Sequence, residues 1–300
     1  MEAVKMMEPE DKIQGINHVT WKQKIKSYKR TPLSFFLWLA VNLAMLLTVL
    51  VLFFLIGYIL IKGVPFLNKD LFALKYTSDN VSLFPAIINT LMMTGLALLF
   101  AVPLGIFAAI YLVEYAKRGN KLVDIVRITA ETLQGIPSIV YGLFGMLFFV
   151  TALKWGLSIL SGAATLAIMI LPLIMRTTEE ALKSVPDSFR EGSFGLGAGK
   201  LRTVFRIVLP SAVPGILSGV ILGVGRIVGE TAALMYTAGT VAEIPKNIMG
   251  SGRTLSVHMY ALSCEGLHVN QAYATAVILL VTVLLINAIS AFIAKRISKG

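Results

Sequence analysis

Apolar runs separated by short polar segments set the plan of this chain. Charge-free stretches occupy residues 31–61, 81–113, 132–153, 155–175 and 266–294, and the stretch 207–240 is interrupted only by Arg226 and Glu230. A helix crosses a bilayer in about 20 residues, so the pattern predicts about six transmembrane helices and an all-α membrane protein. The runs lack the two-residue alternation of a membrane barrel strand. The first run is far longer than the core of a signal peptide and follows a long polar segment, so it is expected to be a retained anchor.

The polar and punctuating residues refine this plan. In residues 1–30, Trp21, Ile25 and Tyr28 share one helical face ringed by Lys22, Lys24, Lys26 and Lys29. That suits a helix lying on an anionic membrane surface, and equally a basic flank that only sets topology. Pro103 and Gly105 predict a kink in the second span. Asn89, Thr90 and Thr94 make one side of it polar, either to bond another helix or to line a solute path. The segment 114–131 reads as a helix with a solvated face. Pro137 is expected in the first turn of the third span, where a missing N–H costs little. Gly142 and Gly145 favour close packing in that span, and Pro172 predicts a bend in the fourth.

The loop 177–210 is too long and too patterned for a simple turn. Ser188 and Glu191 fit a capping box, so a short helix is expected from about Asp187, ending among Gly195, Gly197 and Gly199. Leu201, Val204, Phe205 and Val208 follow at helical spacing as one apolar face, with Pro210 closing that segment. Helix, glycine corner and amphipathic helix predict a rigid protrusion, although a plain capping loop has the same pattern.

Composition agrees with a membrane protein: 56% of residues are hydrophobic and 14% charged, against about 25% charged in ordinary globular domains. The net charge of +11 invites a nucleic-acid reading, but its distribution excludes one. Lysines and arginines gather before the first span and after the second, fourth and sixth. Lys62, Lys69, Lys75, Lys154, Lys246 and Arg253 alone fall in the opposite loops. This is the positive-inside pattern, and it predicts that both termini are cytoplasmic. Cys264 is the sole cysteine, and His258 and His268 lack the carboxylates or thiols of a metal site; all three read as plain polar positions. The sequence has no Walker A loop, nucleophile triad or dinucleotide fingerprint. The chain is therefore expected to be no enzyme, with no catalytic residues, no metal and no cofactor of its own.

The chemistry concentrates in the fifth span. On a helical wheel at about 100° per residue, Gly215, Gly219, Gly223, Arg226 and Glu230 fall within an arc of about 80°. Small residues in that stripe permit close helix contact, and the charges sharing it should face protein or water. Two readings stay open. Arg226 and Glu230 pair only to lock helices together, or Arg226 meets a passing anion while Glu230 holds it in place when the path is empty. An arginine guanidinium stays charged and binds phosphate or carboxylate through two hydrogen bonds.

Several of these stretches resemble a known family. Glu191-Gly192-Ser193, then Gly197, then Ile207-Val208-Leu209-Pro210 is similar to the loop signature of binding-protein-dependent ABC importer permeases, which usually begin Glu-Ala-Ala. The run Gly135-Ile136-Pro137-Ser138-Ile139-Val140-Tyr141-Gly142-Leu143-Phe144-Gly145 resembles the PstA-type phosphate permeases. So do Leu171-Pro172 through Arg176-Thr177-Thr178-Glu179-Glu180-Ala181-Leu182, and Gly225-Arg226-Ile227-Val228-Gly229-Glu230-Thr231-Ala232. Gln134 stands where that family usually has alanine. The resemblance covers 82–300 and is strongest over 135–240.

It implies a type I ABC importer permease bundle in the inner membrane, so that the chain is expected to comprise the basic segment 1–30 and the anchor 31–61 read above, followed by a permease domain over 81–300. It also implies a sister permease, two ATPase subunits that bind ATP and magnesium, and an external phosphate-binding protein. Asp187, Phe189, Arg190, Glu191 and Gly197 would form the loop docked on the ATPase, and Arg226 and Glu230 would line the phosphate path. A permease for sulfate or molybdate, or an ion-coupled transporter or channel without an ATPase, stays as the alternative.

Overall fold

The computed structural model describes residues 32–117 and 119–297; the expected surface helix within 1–30 lies outside them. Among the described residues five helices are long and apolar enough to span a membrane, or six if one bent pair counts as a span. The residues up to Tyr58 and those from Ile59 onward form separate compact units. Helix α1 (Pro32–Gly63) supplies the first unit, where Leu43, Leu47, Leu50, Phe53 and Phe54 are exposed. A helix apolar on every side suits a lipid surrounding.

In the second unit, α2 (Phe84–Ile110) contains Pro103 and ends in a widened turn over Tyr111–Tyr115. Asn120 then caps α3 (Lys121–Gln134), its side chain accepting from Leu122 N at 3.0 Å. A bend of 103° separates α3 from α4 (Ser138–Gly145), which continues through a second wide turn to Ala152. Pro137 sits at the N-cap of α4 rather than in its first turn, because a residue locked near −65° there can leave the bend with extended ψ.

Helix α5 (Ile159–Lys183) is the centre of the unit. Leu166, Met169 and Ile170 pack with Met93 and Ala97 of α2 in one core, while Met175 and Leu182 reach a second core with Ile110, Val123 and Val208. Gly105 lets α2 approach α5 closely, since a Cβ there would lie 2.8 Å from Ile174. The charged run 176–183, read from sequence as the start of a loop, is the last two turns of α5. Arg176–Glu180 at 3.2 Å and Lys183–Glu179 at 2.6 Å are i,i+4 pairs, which favour a helix; the run leaves the apolar pattern without leaving the helix.

Next comes α6 (Asp187–Gly195), with Pro186 at the cap and no side-chain cap bond. Ser188 therefore lies inside the helix and the expected capping box is not formed. Helix α7 (Lys200–Thr203) passes through a wide turn over Val204–Val208 directly into α8 (Leu209–Val228). Pro210 does not close this segment. It lies in the first turn of α8, just past the wide turn, where it has no ladder bond to lose. That wide turn also splits the expected apolar face: Val204 and Val208 are buried, whereas Leu201 and Phe205 are exposed. Helices α9 (Ala232–Thr237), α10 (Leu255–Glu265) and α11 (Val269–Ile297) complete the chain.

Candidate functional site

The glycine stripe of α8 lies against α5. A Cβ on Gly215 would fall 2.6 Å from that of Ala181, one on Gly219 would overlap Thr177, and one on Gly223 would just touch Ile170 and Ile174 at 3.9 Å. Arg226 stands one turn further along and is half-buried. The helix stops at Val228, where Gly225 and Gly229 weaken its last turns. Glu230 therefore does not extend the stripe, which corrects the wheel reading.

Glu230 is buried in the break between α8 and α9. Its Oε1 accepts from Ala233 N at 3.0 Å and caps α9, and its main-chain oxygen accepts from Ser256 Oγ. Among the described residues no carboxylate forms an ion pair with Arg226, so neither the helix lock nor the resting pair expected from sequence is made. The hydroxyl of Tyr141 on α4 lies within reach of the Arg226 charge. That hydroxyl donates to Leu133 O at 2.8 Å, across the α3–α4 bend. Gln134 Nε2 fixes the same bend to α5 by donating to Pro172 O at 3.1 Å.

At the end of the bundle that carries α6, Asp187, Glu191 and Phe189 are exposed. Sequence reasoning missed two further exposed apolar residues: Phe194 at 46% and Leu196 at 91%. An isolated phenylalanine and leucine among glycines carry no periodicity to flag them. Gly197, at φ +82°, makes the left-handed turn that ends α6, and Ser193 Oγ meets Thr203 Oγ1 at 2.8 Å across that corner. Helix, glycine corner and helix thus follow one another in the expected order.

Arg190 differs from its neighbours. It turns inward, donating to Glu114 Oε1 from Nε at 3.1 Å and from Nη2 at 2.8 Å. It also donates to Leu182 O at 2.9 Å and Val185 O at 2.8 Å. The side chain thus ties α6 to the end of α2 and fills acceptors left open at the end of α5. Beside it, Glu179 is held by Arg127 at 2.7 Å and Lys183 at 2.6 Å, and Arg176 reaches Glu131 at 3.1 Å. These pairs brace α3 on α5, so the charged run of α5 serves as a joint.

At the opposite end, Asn89 Nδ2 donates to Glu243 O at 3.0 Å and Arg253 O at 3.2 Å, and Thr90 Oγ1 accepts from Leu255 N at 2.9 Å. The polar side of α2 holds the strap between α9 and α10, a helix-to-loop version of the bonding reading. No cluster able to hold a metal ion occurs among the described residues.

Residues 101–299 match the family model of the binding-protein-dependent transport system inner membrane component. A Bacillus subtilis (strain 168) protein described as the probable ABC transporter permease protein YqgI is 33% identical over 264 residues, covering 82% of this chain and 89% of the relative. The phosphate transport system permease protein PstA 1 of Mycobacterium tuberculosis (strain CDC 1551 / Oshkosh) is 35% identical over 213 residues, covering 70% and 69%. The fold matches a bacterial alginate ABC transporter, with a TM-score of 0.64 at 20% identity over 91% of this chain and 98% of that one. It also matches the MetNI methionine ABC transporter, with a TM-score of 0.56 at 20% identity over 72% and 94%. With the type I importer bundle, the matched family and the PstA relatives in agreement, this chain belongs to the binding-protein-dependent inner membrane components and is a PstA-type permease subunit of an ABC importer.

Proposed function

We propose that this permease carries inorganic phosphate inward, with Arg226 as the cation that meets the anion inside the membrane. The observation that carries the reading is the half-buried Arg226 without a carboxylate partner among the described residues. A charge held inside the membrane is costly even where it is partly screened, and an arginine that serves only packing would be neutralised by a neighbour. Glu230 shapes the path indirectly, by fixing the break that leaves Arg226 at a helix end. The choice of phosphate is supported by the PstA relatives, which are phosphate transport system permease proteins.

Moving one negative charge inward against an inside-negative potential costs about 2.3 kcal/mol per 100 mV. Phosphate, carrying between one and two charges, faces about 2–5 kcal/mol before any gradient, so an Arg-lined passive pore would leak phosphate outward. Coupling to ATP solves this. In the arrangement proposed here, α6 lies on the cytoplasmic side with both termini, as the basic segments direct. Phe189, Phe194 and Leu196 enter a cleft of a partner ATPase, with Asp187 and Glu191 at the rim and Gly197 setting the corner. A sister permease completes the path, two ATPase subunits bind ATP and magnesium, and an external binding protein delivers phosphate.

The test is uptake of labelled phosphate by vesicles containing the assembled complex and the binding protein. ATP-dependent accumulation that excess sulfate does not compete away is expected. Accumulation of sulfate or molybdate instead would replace the substrate, and uptake without ATP would overturn the mechanism.

A further inference from the structure

Arg253 has no place in the reading above, yet its charge is among the most deeply enclosed in the second unit. It lies on the strap between α9 and α10 with only 5% of its surface exposed, and its Nε and Nη2 have no hydrogen-bond partner. Among the described residues no carboxylate pairs with it. The guanidinium stacks on the ring of Tyr76, 4.7 Å from its centroid. His258, in the first turn of α10, meets the same ring edge-on at 6.1 Å. It is fully buried; neither ring nitrogen makes a well-formed hydrogen bond, and the main-chain carbonyl of Val81 is the acceptor beside the ring.

The cluster is therefore rich in donors, and the two arginine nitrogens have no acceptor. Two arginine nitrogens and the one N–H that a neutral imidazole always carries converge under an aromatic ring. A cation–π contact recovers about 2 kcal/mol when desolvated, which is less than the several kcal/mol that an unpaired buried charge costs. A small anion would supply both the charge and the acceptors that are missing.

We propose that Arg253 and His258 form a second oxyanion site beneath Tyr76, on the external side of the barrier, which phosphate occupies before it reaches Arg226. This rests on the phosphate reading given above. The strap is fixed in register with the Arg226 region: Ser256 Oγ donates to Glu230 O, and Asn89 holds the carbonyl of Arg253 itself. Arg253 is thus anchored at its main chain. Tyr76, by contrast, is only half-buried, beside the exposed Lys75. Its ring packs on Val81, Leu262 and Ala272, and in this proposal it is the cover whose displacement would open the donors to the external side.

The experiment replaces the cover by a reporter. Tyr76→Trp keeps an aromatic face on Arg253, and its emission, taken as the difference from the unsubstituted complex, is titrated in detergent without ATP against phosphate, sulfate and chloride. A saturable phosphate response is expected, lost in Tyr76→Trp/Arg253→Gln and weakened in Tyr76→Trp/Arg253→Lys, with all three complexes assembling equally. In vesicles, Arg253→Gln should raise the KM for phosphate uptake at least tenfold with less effect on the maximal rate. No phosphate response, an equal response in the Gln variant, or a response to chloride alone would overturn the site. A response to sulfate but not phosphate would retain an oxyanion site and remove phosphate as the substrate, so the two readings fail separately.

Discussion

The Arg190–Glu114 contact makes the sharpest mechanical prediction. The side chains are 14% and 8% exposed, and one carboxylate oxygen takes two guanidinium N–H groups at 2.8 and 3.1 Å. An exposed ion pair contributes about 0.2–1 kcal/mol, whereas breaking a buried one costs about 3–5 kcal/mol. The slight exposure places Glu114→Gln nearer 2–3 kcal/mol, roughly. Arg190→Gln loses the bonds to Leu182 O and Val185 O as well and should cost about 1–2 kcal/mol more. The double variant should then show a coupling energy of about 1.5–3 kcal/mol.

Thermal unfolding of the assembled complex measures the stability part, and phosphate taken up per ATP hydrolysed measures the mechanical part. Because Phe189, Phe194 and Leu196 are exposed and make no part of the Arg190–Glu114 contact, the Glu114→Gln complex should still copurify with the ATPase and still hydrolyse ATP. Uptake per ATP should fall about tenfold, the loss expected when some 1.4 kcal/mol of linkage is released. A coupling energy below about 0.5 kcal/mol, together with unchanged uptake per ATP, would refute the clamp.

Three further outcomes are expected. Arg226→Ala should abolish uptake and leave assembly intact, with Arg226→Lys retaining a small fraction; lost assembly on pull-down would point to a packing role instead. Gly219→Ala should destabilise the complex by about 1–3 kcal/mol through overlap with Thr177. Gly225→Ala, with open space around it, should be neutral or stabilising by up to about 1 kcal/mol; thermal melts of the two variants decide this. His258 is lowered to about 3, first by burial and then by the charge of Arg253. Its folded form stays neutral where the unfolded form, near 6.5, takes a proton. Its contribution is thus fully present above about pH 6.5 and is lost progressively down to about pH 3, by several kcal/mol in all. Melting curves from pH 4 to 8 should fall less steeply with acid in His258→Gln.

The spans, the glycine contact of α8 with α5 and the protruding corner at Gly197 were legible in sequence, because each follows from local composition or period. What was not legible arose where the backbone leaves that period. The end of α8 at Val228 moved Glu230 off the wheel, and the wide turn over Val204–Val208 split an apolar face into buried and exposed halves. Charge also misled at both ends of its range. The run 176–183 read as loop although its pairs stabilise helix, and Arg190 read as docking surface although its partner Glu114 lies 76 positions earlier. His258 read as plain because nothing in its neighbours announces that it is fully buried.

The contacts on either side of α5 form the route by which, on the proposed function, the protrusion would address Arg226. Arg190 joins α6 to the ends of α2 and α5, and Glu179 joins α5 to α3 through Arg127. Gln134 joins the end of α3 to Pro172 in the middle of α5, and Tyr141 closes the bend beside Arg226. Continuity of contact alone does not transmit force; an element with two arrangements must lie on the route. The bend over residues 135–137 is the natural one, since its two helices cross at 103° with a glycine and a proline between them. A small rotation of α3 would swing α4 about that corner and move Tyr141 relative to the guanidinium; locking the corner by Gly135→Ala should therefore lower uptake per ATP hydrolysed while leaving assembly intact. On this geometry the glycines of α8 seat the arginine's helix against α5, and exposure of its charge would be set by the position of α4.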